Sequence, residues 1–576
     1  MPRPPYHGSK RRLVLAFDLG TTYSGVSYAL LDPGKPPVIH SVTRFPGQDK
    51  GDAMLPTIVH YDKRGRLVTV GAEEPLPEDD EFDEDIQFHK LQWFKLLLRS
   101  SETAMHDGIP TPQLPVSMTI VDVYADFYRY LFDCSKEYIK QTHAMLGDLV
   151  WSSIEHSIDF VLTHPNGWDG AQQGVMRRAM IKAGLVPDTR DDHDRVKFVT
   201  EGEASLLFCI NGGLVAEEIK NGSNIMIIDA GGGTVDLSSY TFTKTSPMEV
   251  REIAIPGCIF EGSVIVRQRA ENYLRAKLRN SRFGSDSYVA VMAGEFDKIA
   301  KKRFRGTGHS YIKFGQRSDR DATFGIRGGQ IKLSKEELSC FFDPGIEAIF
   351  DAVDEQRSGA SPNQILTYFL VGGFSANEYL FARIQAHLLG RGAKLYRPDG
   401  QNVKAVAVGA VSFFLDHYVS TRKAKFTYGT SCGIPYDACK HSHRERAAQR
   451  YRDLDDIECI PNAFGSILRK GCPFSLPLLR SVSLASSKQQ VTFDILAHQG
   501  SGNPPEFLDE AEDSIFTLCK ISAELSKIPM ETRSGLDGPY YHRQVDVVIS
   551  FGTTDRKVEL AWTKNVSCHI FFRLHS

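Results

Sequence analysis

Two short apolar runs, Leu13 to Phe17 and Ile225 to Ile228, each end in an aspartate with a glycine two residues later. The first continues as Asp18-Leu19-Gly20-Thr21-Thr22-Tyr23, the second as Asp229-Ala230-Gly231-Gly232-Gly233-Thr234-Val235-Asp236. Each phrase predicts a buried strand, a tight turn and a second strand of period two. A third apolar run, Ile365 to Val371, ends in Gly372-Gly373-Phe374-Ser375 and predicts a strand followed by a helix from about Ala376. Helices are also predicted over Ser263 to Leu278, over Met292 to Phe304, and, with one apolar face, over Gln92 to Leu98. The Gly- and charge-rich stretch Arg305 to Gly329 predicts turns and a small sheet.

From about Ser420 the pattern changes. Lys440 to Asp456 is highly charged and predicts a loop or an exposed helix. In Gln490 to Ala497, Val491, Phe493 and Ile495 share one strand face, with Thr492 and Asp494 on the other. Val545 to Phe551 and Lys557 to Trp562, separated by Gly552 to Arg556, predict a hairpin. The expected organisation is a mobile basic tail (residues 1–12), two lobes (13–222 and 223–420), and a mostly β domain (421–576).

The chain has 576 residues and a formal net charge of -3. That length predicts several domains or lobes, and the near-balanced charge offers no electrostatic footprint for nucleic acid. No stretch is apolar enough to span a bilayer and the start lacks a secretory apolar segment, so no membrane insertion and a cytoplasmic location are expected, with the nucleus a further option. The 10 cysteines are scattered without a Cys-x-x-Cys pair, which fits a reducing compartment. Cys432, Cys439, His441 and His443 match no familiar zinc spacing and read as a polar loop. The acidic run Glu78 to Asp85 reads as solvated surface.

The chemistry lies in the two aspartate turns. A single Asp-x-Gly after a strand is ordinary turn chemistry. Two of them in matching context can face each other and hold a polyphosphate. The turn N–H groups would supply donors, and Asp18 and Asp229 would hold the water shell of a divalent cation. Gly231, Gly232 and Gly233 lack a Cβ and let backbone approach an oxygen ligand. No Gly-Lys-Ser/Thr follows, so this is not a single phosphate loop at a helix N-terminus.

These phrases resemble the two phosphate motifs of the actin-like ATPase superfamily, and their wording is most similar to the DnaK-like heat-shock protein 70 family. Gly372-Gly373 resembles the superfamily's adenosine motif. Glu201-Gly202-Glu203-Ala204-Ser205 and Ala407-Val408-Gly409-Ala410-Val411 resemble its two connecting segments. The resemblance covers about residues 13 to 420. It implies an α/β, two-lobed actin-like (ribonuclease H-like) ATPase domain with a central cleft for ATP or ADP and Mg2+. The region after residue 420 resembles a peptide-binding β domain without its linker and helical lid. That places the chain near the divergent, lidless twelve-type branch and implies a polypeptide client or protein partner, with co-chaperones unspecified.

By the same resemblance, Asp18 and Asp229 anchor the magnesium shell through water. Gly20, Thr21, Thr22 and Tyr23 line the terminal phosphates on one side, with Gly231, Gly232, Gly233 and Thr234 on the other. Asp236 positions the attacking water or a cation, and Lys95, with Lys90 as runner-up, touches the terminal phosphate. Glu201 orders catalytic water, and Pro165 in Thr163-His164-Pro165 is a switch element. Gly372, Gly373, Phe374, Ser375, Lys301 and Lys302 approach the adenosine. Two departures stand out. Glu261 to Val266 replaces the family's acidic helix start, and no acid is assigned to the Glu-x-x-Lys-Arg element. Three functions follow as expectations: a slow ATPase of chaperone type, a nucleotide-gated scaffold with little turnover, and a small-molecule kinase.

Overall fold

The computed structural model describes residues 3–571 apart from 49–51, 76–87, 100–110, 144–150, 153, 213–219, 362–363, 399–403, 454–455, 475–477, 486–489, 501, 525–530, 536–537, 552–555 and 565–566. The acidic run at 78–85 lies outside the described residues. The chain is mixed α/β and divides into two compact units. One comprises Met1–Trp168 with Val175–Tyr418, the other Asp169–Gly174 with Val419–Ser576. Among the described residues, no helix is long and apolar enough to cross a membrane.

The first unit is built on two sheets of the same design. In one, β1 (Arg12–Leu19), β2 (Tyr23–Leu31), β3 (Ile39–Ser41), β4 (Ile158–His164) and β5 (Val196–Thr200) stand in the order β3-β2-β1-β4-β5. In the other, β6 (Asn224–Ala230), β7 (Val235–Thr245), β8 (Met248–Glu252), β9 (Thr367–Val371) and β10 (Lys394–Tyr396) stand in the order β8-β7-β6-β9-β10. The pairing senses also match. β1 is antiparallel to β2 and parallel to β4, and β6 is antiparallel to β7 and parallel to β9. Even the side strands correspond: Met54–Pro56 pairs with the start of β2, and Gly257–Ile259 with the start of β7.

The central strands are covered on both faces, which is why they read as continuous apolar runs rather than alternating ones. Leu13, Leu15, Phe17 and Leu19 of β1 enter one core, whereas Val14 and Ala16 enter another with Ala410, Val411 and Phe413. The helices follow their capping signals. α1 (Ile120–Thr142) opens with a Thr119/Asp122 capping box, and Thr200 Oγ1 caps α2 (Glu201–Asn211) at Glu203 N. α3 (Ser263–Lys277), α4 (Asp286–Glu295), α5 (Lys335–Gly359), α6 (Glu378–Leu389) and α7 (Ala405–Asp416) follow. α2 and α7 touch backbone to backbone at Gly409, where a Cβ would lie 1.8 Å from Ala204 O.

The second unit is rich in strands. One of its sheets runs Tyr451–Arg452, Glu458–Leu468, Thr427–Pro435, Gln490–His498, Ile515–Glu524, and another pairs Gly538–Phe551 with Arg556–Lys564. The charged stretch after Lys440 holds a short helix, His441–Glu445. His443 accepts from Asp437 N and faces Glu506, and among the described residues no three metal-ligating side chains cluster.

Two local expectations need correction. Gln92 to Leu98 is not an amphipathic helix: His89–Gln92 is a strand paired with Ile58–Tyr61, and Phe94–Leu98 is a single 3₁₀ turn. Trp93, at φ 59°, separates them, because a left-handed residue cannot continue a helix. The N-terminal segment is docked rather than free. Arg3 Nη2 lies 2.8 Å from Asp416 Oδ2 at the end of α7, and Tyr6 N donates to Lys35 O at 2.9 Å.

Candidate functional site

The β1–β2 and β6–β7 turns line one cavity of about 700 Å³ within the first unit. Asp18, Gly20, Thr21, Thr22 and Tyr23 come from the first turn, and Asp229, Gly231, Gly232, Gly233 and Thr234 from the second. Lys95, Glu201, Lys301, Lys302, Gly372, Gly373 and Phe374 complete the set of expected residues on its wall. Asp236 and Ser375 are buried behind it. Asp236 Oδ1 accepts from Asn166 N at 2.6 Å, and Ser375 Oγ donates to Gly372 O at 2.6 Å, closing the turn after β9. Lys90 is exposed opposite His60 in its sheet and does not reach the cavity.

At the cavity floor Asp18, Glu201 and Asp229 gather about the Lys95 ammonium, with Asp236 buried behind them. Lys95, only 4% exposed, pairs with Glu201 at 2.5 Å and stands over the Trp168 ring at 5.5 Å. Thr163 Oγ1 donates to Asp18 Oδ1 at 2.9 Å, and Ser205 Oγ donates to Asp229 Oδ2 at 2.6 Å. Burial pushes the Asp18 carboxyl up to about 7, with Glu201 adding to the rise and Lys95 opposing it. Asp236 reaches about 7, again through burial and then Glu201. Asp229 is raised well above the usual carboxylate range by burial, Glu201, Asp236 and Asp18. Burial alone would lower the Lys95 ammonium, but Glu201, Asp18 and Asp236 outweigh it and hold it above its ordinary value.

This floor fits a hydrated divalent cation. Among the described residues, Asp18, Glu201, Asp229 and Asp236 outnumber the Lys95 ammonium beside them. Added positive charge would reverse the upward shifts. The glycines fit an oxygen-rich ligand. A Cβ on Gly372 (φ 85°) would meet Asp229 Oδ1 at 2.3 Å, whereas one on Gly373 would meet nothing within 4 Å and opens onto the cavity.

Further from the floor, Lys301 Nζ donates to Ser263 O at 3.1 Å and pairs with Asp297. Asp297 lines the cavity and was not among the expected residues; its signal was the i,i+4 spacing to Lys301. That spacing falls on a π-helical turn, Phe296–Ala300, between α4 and Lys301. Asn377, which caps α6 and donates to Lys301 O at 2.8 Å, also lines the wall. Thr163 and Ser205, which hold Asp18 and Asp229, fall in phrases singled out by resemblance without being assigned that role, and Asn166 holds Asp236 through its backbone N–H, which no side-chain pattern reports.

No protein-family model matches the chain. It is 22% identical to heat shock 70 kDa protein 12A of Homo sapiens, over 97% of this chain and 91% of that protein. It is 23% identical to heat shock 70 kDa protein 12A of Mus musculus, over 74% of this chain and 73% of that protein. It is 21% identical to heat shock 70 kDa protein 12B of Homo sapiens, over 72% and 71%. With the aspartate turns, the duplicated strand order and alignment across most of its length, the chain is a divergent homologue of the twelve-type proteins of the heat-shock protein 70 family.

Proposed function

We propose that the first unit is a two-lobed, actin-like nucleotide-binding domain that takes ATP with Mg2+ in the cavity between the two aspartate turns. The observation that carries this reading is the meeting of Asp18 and Asp229, 211 residues apart (229 − 18), on one cavity with both glycine turns. A bound divalent cation would supply neutralisation of the phosphate oxygens. The chain's residues supply the rest. Asp18 and Asp229 hold the cation's water shell, and the turn N–H groups of Gly20–Thr22 and Gly231–Thr234 donate to phosphate oxygens. Lys95 donates toward the terminal phosphate. Glu201 orients the attacking water, with Asp236 behind it.

Slow hydrolysis follows from such placement without a covalent intermediate. The second unit is the β-rich domain that would contact a polypeptide client or partner, driven by closure of the lobes on nucleotide. Scaffold behaviour with little turnover is a second reading. It is favoured by Glu261, at the start of α3, being engaged by Arg269 at 2.7 Å and absent from the cavity wall.

A titration of the purified protein with Mg–ATP, followed by a single-turnover assay, tests this. Binding is expected, and Glu201→Ala should keep binding while slowing phosphate release about 100-fold or more. Asp229→Ala should lose both. Binding with no phosphate release in the unaltered protein selects the scaffold reading, and absence of any nucleotide binding overturns both.

A further inference from the structure

We propose that Arg267 is a phosphate-gripping residue of this cleft: its guanidinium, held on the Trp93 ring, donates to a terminal phosphate oxygen of the bound nucleotide. The inference rests on the reading of the cavity as a nucleotide site and adds a residue that neither aspartate turn contains.

Arg267 stands four residues after Ser263 on α3, and both line the cavity, as one helix face requires. α3 is built directly on the glycine turn: Gly262 N donates to Gly233 O, Ser263 N to Gly231 O and Val264 N to Gly232 O, at 3.2, 3.1 and 2.9 Å. Arg267 is therefore carried by the same rigid piece that presents Gly231 to Gly233. Its guanidinium lies 4.9 Å over the centre of the Trp93 ring. Trp93 immediately precedes the turn bearing Lys95, and Leu96 and Ile265 pack together beside it. One side chain is thus aimed by both turns' supports.

Its partners distinguish it from the neighbouring cations. Lys95 has Glu201, Lys301 has Asp297 and the Ser263 carbonyl, Lys298 has Glu295 at 3.6 Å, and Lys302 is exposed to solvent. Among the described residues Arg267 has no ion pair or hydrogen bond, and its Nε is buried without an acceptor. A buried N–H left unpaired is costly, so an acceptor is expected to come from a ligand. The planar fork of arginine matches phosphate geometry, and stacking on an indole leaves its N–H edge free to donate. The surroundings also favour an anion: the Lys301 ammonium is depressed by burial and, despite Asp297, by Arg267 and Lys302.

The test is a titration of unaltered protein, R267Q, R267K and W93L with ATP, ADP and AMP in excess Mg2+, read by calorimetry and tryptophan fluorescence. Thermal melting confirms that each variant is folded. R267Q should weaken ATP by about tenfold or more while leaving AMP within about twofold, and R267K should recover part of the loss. W93L should fall between R267K and R267Q for ATP. Equal weakening of all three nucleotides, or none, overturns the proposal while leaving the cleft reading intact. If R267Q fails to fold, the R267K and W93L ratios of ATP to AMP decide by the same criterion. Failure of the unaltered protein to bind any of the three removes the cleft reading itself.

Discussion

The β1–β2 and β6–β7 turns share a frame and differ in what fills it. Both span four residues between the last paired positions, Leu19 with Ser24 and Ala230 with Val235. In both, the glycine after the aspartate folds back on the carbonyl three residues ahead. A Cβ on Gly20 would lie 2.2 Å from Tyr23 O, and one on Gly231 3.2 Å from Thr234 O. There the likeness stops. The first turn carries Thr21 and Thr22, and the second offers Gly232 and Gly233 to receive them. A Cβ on Gly232 would meet Thr22 Oγ1 at 2.4 Å, and one on Gly233 would meet Thr21 Oγ1 at 2.5 Å. Two turns in contact cannot both carry side chains at the point of contact, so one supplies the knobs and the other the space. Charge is divided as well. Each aspartate takes a hydroxyl, but Asp18 faces Gly25 across its ladder and has Lys95 as a neighbour, whereas Asp229 faces Asp236. The duplicated frame therefore holds complementary contents.

The largest expected way to break this division is Lys95→Met. The change removes the ammonium paired with Glu201 and leaves Glu201 buried beside Asp18. Losing one partner of a buried ion pair costs about 3–5 kcal/mol, read by chemical denaturation at pH 8. The loss should shrink toward pH 5.5, and the sign follows from linkage. Asp18 sits at about 7 when folded against an ordinary 3.8, so between those values the folded chain holds a proton that the unfolded chain has released. Stability falls as pH rises through that window, and the penalty is complete above the folded value. Without Lys95 the folded value rises further, so the variant suffers most at high pH. A loss of the same size at both pH values would sink the placement of Lys95 beside Asp18.

What the chain disclosed in advance tracks how local each feature is. β1 and β6 were legible because burial on both faces writes a continuous apolar run. The aspartate turns were legible because Asp and Gly at fixed offsets are turn chemistry. The matched strand order was not, since β4 and β9 join their sheets from far along the chain. Lys95 was reached through resemblance, yet its local structure was misjudged: periodicity over Gln92 to Leu98 cannot report the left-handed Trp93 that splits it. Ser375 belongs to a Gly-Gly phrase that does line the cavity, but its hydroxyl turns back to Gly372 O. Thr163 and Ser205 lay in phrases noticed for other residues, and their hold on Asp18 and Asp229 shows only in the fold. The basic N-terminal segment reads as a tail by composition, and its docking depends on Asp416, 413 positions away from Arg3.

A smaller effect should come from filling the receiving turn. Gly232→Ala puts a methyl against Thr22 Oγ1, and the neighbouring amides hold α3 to the same turn, so the backbone cannot withdraw freely. Overpacking of this kind costs about 1–3 kcal/mol in thermal or chemical denaturation. The corresponding change on the first turn, Gly20→Ala, collides with the Tyr23 carbonyl inside its own turn, so no substitution on the other turn should relieve it. Relief of Gly20→Ala by a change in the second turn would show that the two frames are less alike than their registers indicate.

The smallest effect is the most diagnostic of contact between the turns. All three atoms nearest a Cβ on Gly232 belong to the Thr22 side chain, so Thr22→Gly should make room for Gly232→Ala. Thr22→Gly alone should cost a little through the freedom glycine gives the unfolded chain. In the double variant the two losses should add to less than their sum, with a coupling of about 1 kcal/mol. Strict additivity would mean that the turns stand apart in the protein without ligand and meet only when something is held between them. Repeating the cycle with Mg–ATP present separates those cases. A coupling that appears only with nucleotide makes the knob-and-space fit a property of the closed cleft, and a coupling present in both conditions makes it part of the resting fold.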